Sequence, residues 1–232
     1  MNVAGEPARL EFRELRTADE LAHLPPFESR IWGSGGDLVS VNMLVATVGE
    51  GGVALGAFDG DEIVGAVYGF PTREPHVLHS HYMAVDPRWR RNGLGVELKQ
   101  RQRRWCLDRG ITHMRWTYDP LQLANAHLNL HVLGCVGIAY HVDYYGHLGG
   151  INGSLPSDRV TVSWDLRDGA TKPAAELAVD VPPASADDIA ASNDTALHAR
   201  LHVRSELHER MAAGWQLVDV DRDGRRYLLG RG

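Results

Sequence analysis

His79-Ser-His-Tyr-Met-Ala-Val85-Asp-Pro-Arg-Trp-Arg90-Arg-Asn-Gly93-Leu-Gly95 reads as a strand, a basic glycine-bearing turn and the start of a helix. Val77, Leu78, Tyr82, Met83 and Val85 have strand composition. Pro87 ends the strand, because proline has no N–H to give to a sheet ladder. Gly93 and Gly95 allow a backbone that turns several N–H groups toward one point. Val96 to Arg109 then contains neither proline nor glycine and favours a helix. Such a helix start, with unpaired N–H groups and arginines beside it, is a phosphate site because dipole and donors act together. A Rossmann loop is disfavoured, since it wants a βαβ unit and an acidic residue about 20 positions on. A P-loop is excluded, since no Lys-Ser/Thr follows the turn.

The 232 residues suffice for one good-sized domain, alone or with a small appendage. A hydrophobic fraction of 44% and a charged fraction of 23% fit a soluble globular chain. The formal net charge of −6 argues against nucleic acid as a main partner. The basic run from Arg88 to Arg104 is the local exception, and a phosphate-bearing cofactor accounts for it at least as well as DNA. Cys106 and Cys135 lie in apolar contexts and read as buried thiols of a reducing compartment. No apolar run is long enough to span a membrane, and the N-terminus lacks a signal-peptide pattern, so a cytoplasmic enzyme of bacterial type is expected.

The spacing Arg90-x-x-Gly93-x-Gly95, after a strand ending in Met83-Ala-Val85-Asp-Pro, resembles the acetyl-coenzyme A pyrophosphate loop of the GNAT N-acetyltransferase superfamily. The remaining pattern agrees. Leu10–Leu15 alternates as a strand, and Thr17-Ala-Asp-Glu20 is a capping box opening a helix. Leu38–Val48 has helical spacing. Val53–Phe58 and Ile63–Phe70 form a hairpin about Asp59-Gly-Asp-Glu62. After the strand from His76 to Val85 and the helix Val96–Arg109 come a strand, Ile111–Tyr118, and a helix, Leu121–Leu133, closed by Gly134. Val136–Tyr144 and Arg159–Leu166 are two further strands. The resemblance implies an α/β (α+β mixed) fold over residues 1–167, a central twisted mixed sheet flanked by helices. In that fold the strands ending at Val85 and Tyr118 splay and admit the pantetheine arm. Residues 168–190, rich in Ala, Pro and Asp, read as a linker. Residues 191–232 read as a helix plus hairpin extension that covers the sheet edge, walls the acceptor pocket or makes a subunit contact, leaving room for a homodimer.

On this reading the backbone of Met83, Ala84 and Val85 takes the pantetheine, and an N–H of Met83 or Ala84 takes the oxyanion. Arg90, Arg91, Asn92, Gly93, Leu94 and Gly95 take the pyrophosphate, with Asn125 a weaker carry-over beside the cofactor. His79 and His81, two apart on a strand, should share one face with Met83 and Val85. Their register resembles the His-x-His pair of aralkylamine N-acetyltransferases, and His79 also falls where histone acetyltransferases carry a glutamate. Neutral histidine suits a general base, directly or through a water. The same pair also reads as satisfied core histidines, or as two zinc ligands lacking a third at diagnostic spacing. The tyrosine that the family often uses to protonate the leaving thiolate is Leu130 here. Tyr118, Tyr140, Tyr144, Tyr145 and His127 are the replacements on hand, each equally a core or pocket residue. For the acceptor, Tyr118 lines an aromatic pocket, Asp158 holds a cationic amine and Arg159 a carboxylate; a capped turn with a local ion pair explains the last two equally well. The expectation is acetyl transfer from acetyl-CoA to a primary amine of a small-molecule acceptor by direct attack, with no metal, nucleic acid or membrane. A silent acyl-CoA sensor and a same-fold transferase with another acyl donor are the alternatives.

Overall fold

The computed structural model describes residues 10–33, 38–146 and 154–232. Contacts group the described chain into two units, residues 10–31 with 38–110, and residues 32–33 with 111–146 and 154–232.

The first unit is an antiparallel meander, β1 (Glu11–Glu14), β2 (Val53–Asp59), β3 (Glu62–Pro71) and β4 (Val77–Val85), paired in that order. Helices α1 (Ala18–Leu21), α2 (Leu24–Trp32), α3 (Val41–Gly49) and α4 (Leu94–Leu107) accompany it. Thr17 and Glu20 make the expected capping box. Ser40 caps α3 through Met43 N–H, so that helix starts later than its apolar spacing suggests. Helix α2 has no counterpart in the sequence reading, and it contains Pro25 and Pro26. Both lie in its first turn, where the missing N–H groups would have no carbonyl to meet. β2 is buried from Val53 through Phe58, which is why it reads as an unbroken apolar run. Leu21, Leu44, Val64, Val67, Leu78 and Leu98 are fully enclosed in this core.

The second unit is a sheet in the order β5-β7-β6-β9-β10-β8, with every adjacent pair antiparallel. Its strands are β5 (His113–Tyr118), β6 (Val136–His141), β7 (Arg159–Asp165), β8 (Leu177–Asp180), β9 (Gln216–Asp221) and β10 (Arg226–Gly230). Helix α5 (Leu123–Ala126) runs into a π-helical turn, His127–Val132, before Gly134 closes it at φ 74°. The segment expected as a linker contains β8 and a short helix, α6 (Ala186–Ala191), opened by a Ser185/Asp188 capping box. Helix α7 (Asp194–Ala212) buries Ala196, Ala199, Val203, Leu207 and Met211, one stripe at helical spacing. The C-terminal hairpin continues the sheet: Leu217 pairs with Gly137, where an added Cβ would lie 2.8 Å from the Leu217 Cβ.

Candidate active site

The turn after β4 is built before the glycines act. Asp86 accepts the Arg88 backbone N–H at 2.9 Å and its guanidinium at 3.0 and 2.8 Å, and Arg88 also reaches Glu62 at 2.6 Å. Arg88 is therefore committed to the turn. Its partnership holds Asp86 well below the usual carboxylate range, at about 2. Arg90 folds back, Nε donating to the Val85 carbonyl at 3.1 Å. Arg91 and Gly93 both take left-handed backbone, φ 65° and 79°. Gly93 is the N-cap of the fourteen-residue α4 and offers no side chain to it, so the first-turn N–H groups stay open. Arg90, Arg91, Asn92 and Gly93 are exposed, while Leu94 is buried and packs against Gly65. Gly95 faces Met83: a Cβ there would lie 3.2 Å from the Met83 Cε. An uncapped helix end, open space at Gly93 and exposed arginines suit a pyrophosphate.

β4 departs from simple alternation. Tyr68 pairs with Tyr82 and Phe70 with His79, so two steps on β3 face three on β4, which is a β-bulge. Ser80 faces α4, donating to Gln102 at 2.8 Å and accepting from the buried Lys99 at 2.8 Å. Met83 and Val85 face α4 too, against Gly95. His79 and His81 point the other way, among Tyr68, Phe70 and Tyr82. The expected common face for the histidines with Met83 and Val85 is thus corrected: the extra residue at the bulge inverts the pattern beyond His81.

The histidine face is aromatic. His79 stacks on Phe70 at 4.9 Å between centroids, and the two histidine rings are 5.9 Å apart. Burial, with His81 and Lys99 nearby, pulls His79 down to about 4. His81 is exposed at its rim, and burial of the rest of its ring lowers its pKa as well. Both rings are neutral near pH 7. Glu28 on α2 is 1% exposed and takes the Val39 N–H; its burial raises its pKa, and its carboxyl lies against the Tyr82 hydroxyl. Glu28 went unread because its helix did, and Lys99 because charge on a helix normally means solvent.

The second unit changes the standing of several candidates. Tyr118 is buried, and its hydroxyl donates to Tyr227, which donates to the Pro120 carbonyl. Asp158 is fully buried and holds Arg204 with both oxygens, at 2.7 and 2.8 Å, besides the Tyr140 hydroxyl at 2.6 Å. Its cation is the chain's own. Arg159 is buried without a carboxylate partner among the described residues. Asn125 is exposed on α5, whereas Asn129 accepts from Trp116 Nε1 at 3.3 Å. Leu130, in the place of the family's tyrosine, is fully buried. Of the replacements for that tyrosine, Tyr118 and Tyr140 are raised far above the ordinary phenol range by burial, while Tyr144 and Tyr145 are exposed. Burial pushes the Cys106 thiol up to about 12, so it is no nucleophile. No group of three metal-binding side chains occurs among the described residues.

A sequence model described as the Acetyltransferase (GNAT) family matches residues 19–150. No curated protein matches the chain by sequence. Solved structures share the fold. The ribosomal-protein-S18-alanine N-acetyltransferase of Escherichia coli aligns at TM-score 0.56 and 16% identity, over 71% of this chain and 100% of its own. The putative acetyltransferase yncA of Salmonella typhimurium, solved with its cofactor acetyl-CoA, aligns at 0.55 and 16%, over 72% and 99%. A GNAT-family acetyltransferase of Streptococcus pneumoniae aligns at 0.54 and 20%, over 67% and 98%. No helix among the described residues is long and apolar enough to cross a membrane.

Proposed function

The chain belongs to the GNAT acetyltransferase family and is an acyltransferase, and from that premise we propose that it moves the acetyl group of acetyl-CoA to a primary amine of a small molecule. The observation that carries the cofactor assignment is the uncapped N-terminus of α4, opened by left-handed Gly93 and flanked by exposed Arg90 and Arg91. Residues 90–95 hold the pyrophosphate by N–H groups and charge. Met83, Ala84 and Val85 offer main chain to the pantetheine and the oxyanion. The Val85 carbonyl already accepts one hydrogen bond, from Arg90 Nε, and keeps a second lone pair.

His81 is the proposed base. It is neutral at physiological pH, exposed to an incoming amine, and less depressed in basicity than His79. The amine nitrogen attacks the thioester carbon, its proton passes to His81 Nδ1 or Nε2, and the C–S bond breaks to leave the CoA thiolate. His79 assists through the packed ring pair or a bridging water. Neither cysteine supports a covalent acyl-enzyme, which favours direct attack. The reaction belongs where acetyl-CoA is available, which for a bacterial-type cell is the cytoplasm. The structural neighbours share too little sequence to carry their acceptors across.

An acceptor screen with thiol release as readout tests this proposal, covering amino acids, aralkylamines, polyamines, aminoglycosides and peptide N-termini. Amine-dependent release with small acceptors supports it. Release only with peptides would move the acceptor class to proteins. Acetyl-CoA binding without release from any amine would favour a sensor.

A further inference from the structure

The second unit carries three arginines beside two aspartates, and the aspartates are fully engaged. Asp119 holds Arg200 by two bonds of 2.8 Å and accepts the Leu121 N–H. Asp158 takes Arg204 by two bonds, the Tyr140 hydroxyl, and the Asp143 N–H at 3.0 Å. Arg159, the first residue of β7, has no carboxylate partner among the described residues. It is 8% exposed and spends Nη1 on the Asp158 carbonyl at 2.8 Å. Among the described residues its Nε and Nη2 make no hydrogen bond.

What surrounds the guanidinium is ordered and aromatic. The Tyr145 ring lies 5.3 Å from the Arg159 guanidinium carbon, and Tyr144 meets Tyr145 edge-on at 4.7 Å. Both tyrosines are near half-exposed, at 48% and 44%. Their backbone is pinned: Tyr144 N–H donates to the Ser157 carbonyl and Tyr145 N–H to Ser157 Oγ at 2.9 Å. Thr117 Oγ1 and the Tyr145 hydroxyl are 3.1 Å apart.

A nearly buried cation without an acid is costly unless something else supplies the charge. We propose that Arg159 binds the carboxylate of a small molecule whose apolar body rests on Tyr144 and Tyr145. A guanidinium with free parallel N–H groups matches a planar carboxylate. A phosphate dianion would want a second free cation, and Arg200 and Arg204 are both committed. Burial lowers the pKa of Arg159, a cost that a bound anion would offset. The carboxylate belongs either to the amine acceptor itself or to a separate effector.

The first test is binding to the whole chain, with phenylacetate as probe and phenylacetamide as its neutral twin, and it does not depend on the transferase reading. Wild type should prefer phenylacetate at least tenfold. Arg159→Gln should abolish that preference, and Arg159→Lys should retain part of it. Should Arg159→Gln fail to fold, Arg159→Lys and Tyr145→Ala must each weaken phenylacetate binding. Equal binding of the twins by wild type, no binding of either at millimolar concentration, or an unchanged preference in a folded Arg159→Gln overturns the site. The second test identifies the source. A raised KM for carboxylated amines at constant kcat in Arg159→Gln supports an acceptor carboxylate; a phenylacetate effect that does not compete with the amine supports an effector. Absence of thiol release with every amine would sink the transferase proposal and leave the binding test to decide this one.

Discussion

His79 and His81 are two residues apart and differ in what they can do. His79 is sunk against Phe70 at about 4, so most of its basicity is gone. His81 keeps more and reaches solvent. Replacing His81 with Gln should cost about 10²- to 10⁴-fold in turnover while acetyl-CoA affinity changes little; kcat and calorimetry read the two quantities. The depressed pKa values also set an acid sensitivity. A histidine whose folded pKa lies below its unfolded value of about 6.5 binds fewer protons when folded. Its stability contribution is complete above 6.5 and is lost as pH falls through the folded value, for His79 between about 6.5 and 4. Denaturant melts across that window should show stability rising with pH, and the rise should shrink in His79→Phe. A slope identical to wild type would contradict the assignment. Asp158 makes a third case. Removing one partner of a buried ion pair costs about 3–5 kcal/mol, so Asp158→Ala should lower the melting temperature sharply.

Among the elements, α4 and β4 carry the proposed site, and they differ in legibility. The loop was readable because Gly93 and Gly95 do what only glycine does cheaply: one takes φ 79°, the other lets Met83 approach. The capping box of Thr17 and Glu20 and the hairpin at Asp59-Gly60 were readable for the same reason, a local residue choice with a local cause. The β4 bulge was not, because it is fixed by pairing with β3, and composition alone does not reveal which residue is the extra one. Helix α2, with Pro25 and Pro26 in its first turn, went unread, and with it Glu28. Nothing in the residues of Leu121–Leu133 marks where α-helix gives way to the π-helical turn. Gly93→Val should weaken acetyl-CoA more than tenfold, over about 1.4 kcal/mol, because a β-branched residue resists left-handed backbone. Gly93→Asn, which tolerates that region, should lose much less. Calorimetry with equal affinities for wild type and a folded Gly93→Val would remove the loop from the cofactor.

Across the whole molecule, the C-terminal residues are bound into the second unit. Leu217 lies on Gly137, β10 carries β8 along its edge, and Arg200, 1% exposed, satisfies Asp119. Composition suggested a separable extension because Ala, Pro and Asp between 168 and 190 resemble a linker; the pairing partners that turn part of it into β8 lie some fifty residues further along. Truncation after Leu166 should therefore give an insoluble or strongly destabilised chain, since β6 loses β9 and a nearly buried carboxylate loses its cation. A soluble truncated chain with unchanged melting would contradict this.

The central claim, acetyl transfer with His81 as base, is met most directly by one measurement: amine-dependent release of free CoA at saturating acetyl-CoA, wild type against His81→Gln, from pH 5 to pH 9. The account predicts amine-dependent release by wild type, with kcat/KM falling on the acid side below about 6.5 at an inflection lowered by the partial burial of His81. It predicts that His81→Gln loses both that limb and most of the rate while still binding acetyl-CoA. Full activity with the same acid limb in His81→Gln would contradict it.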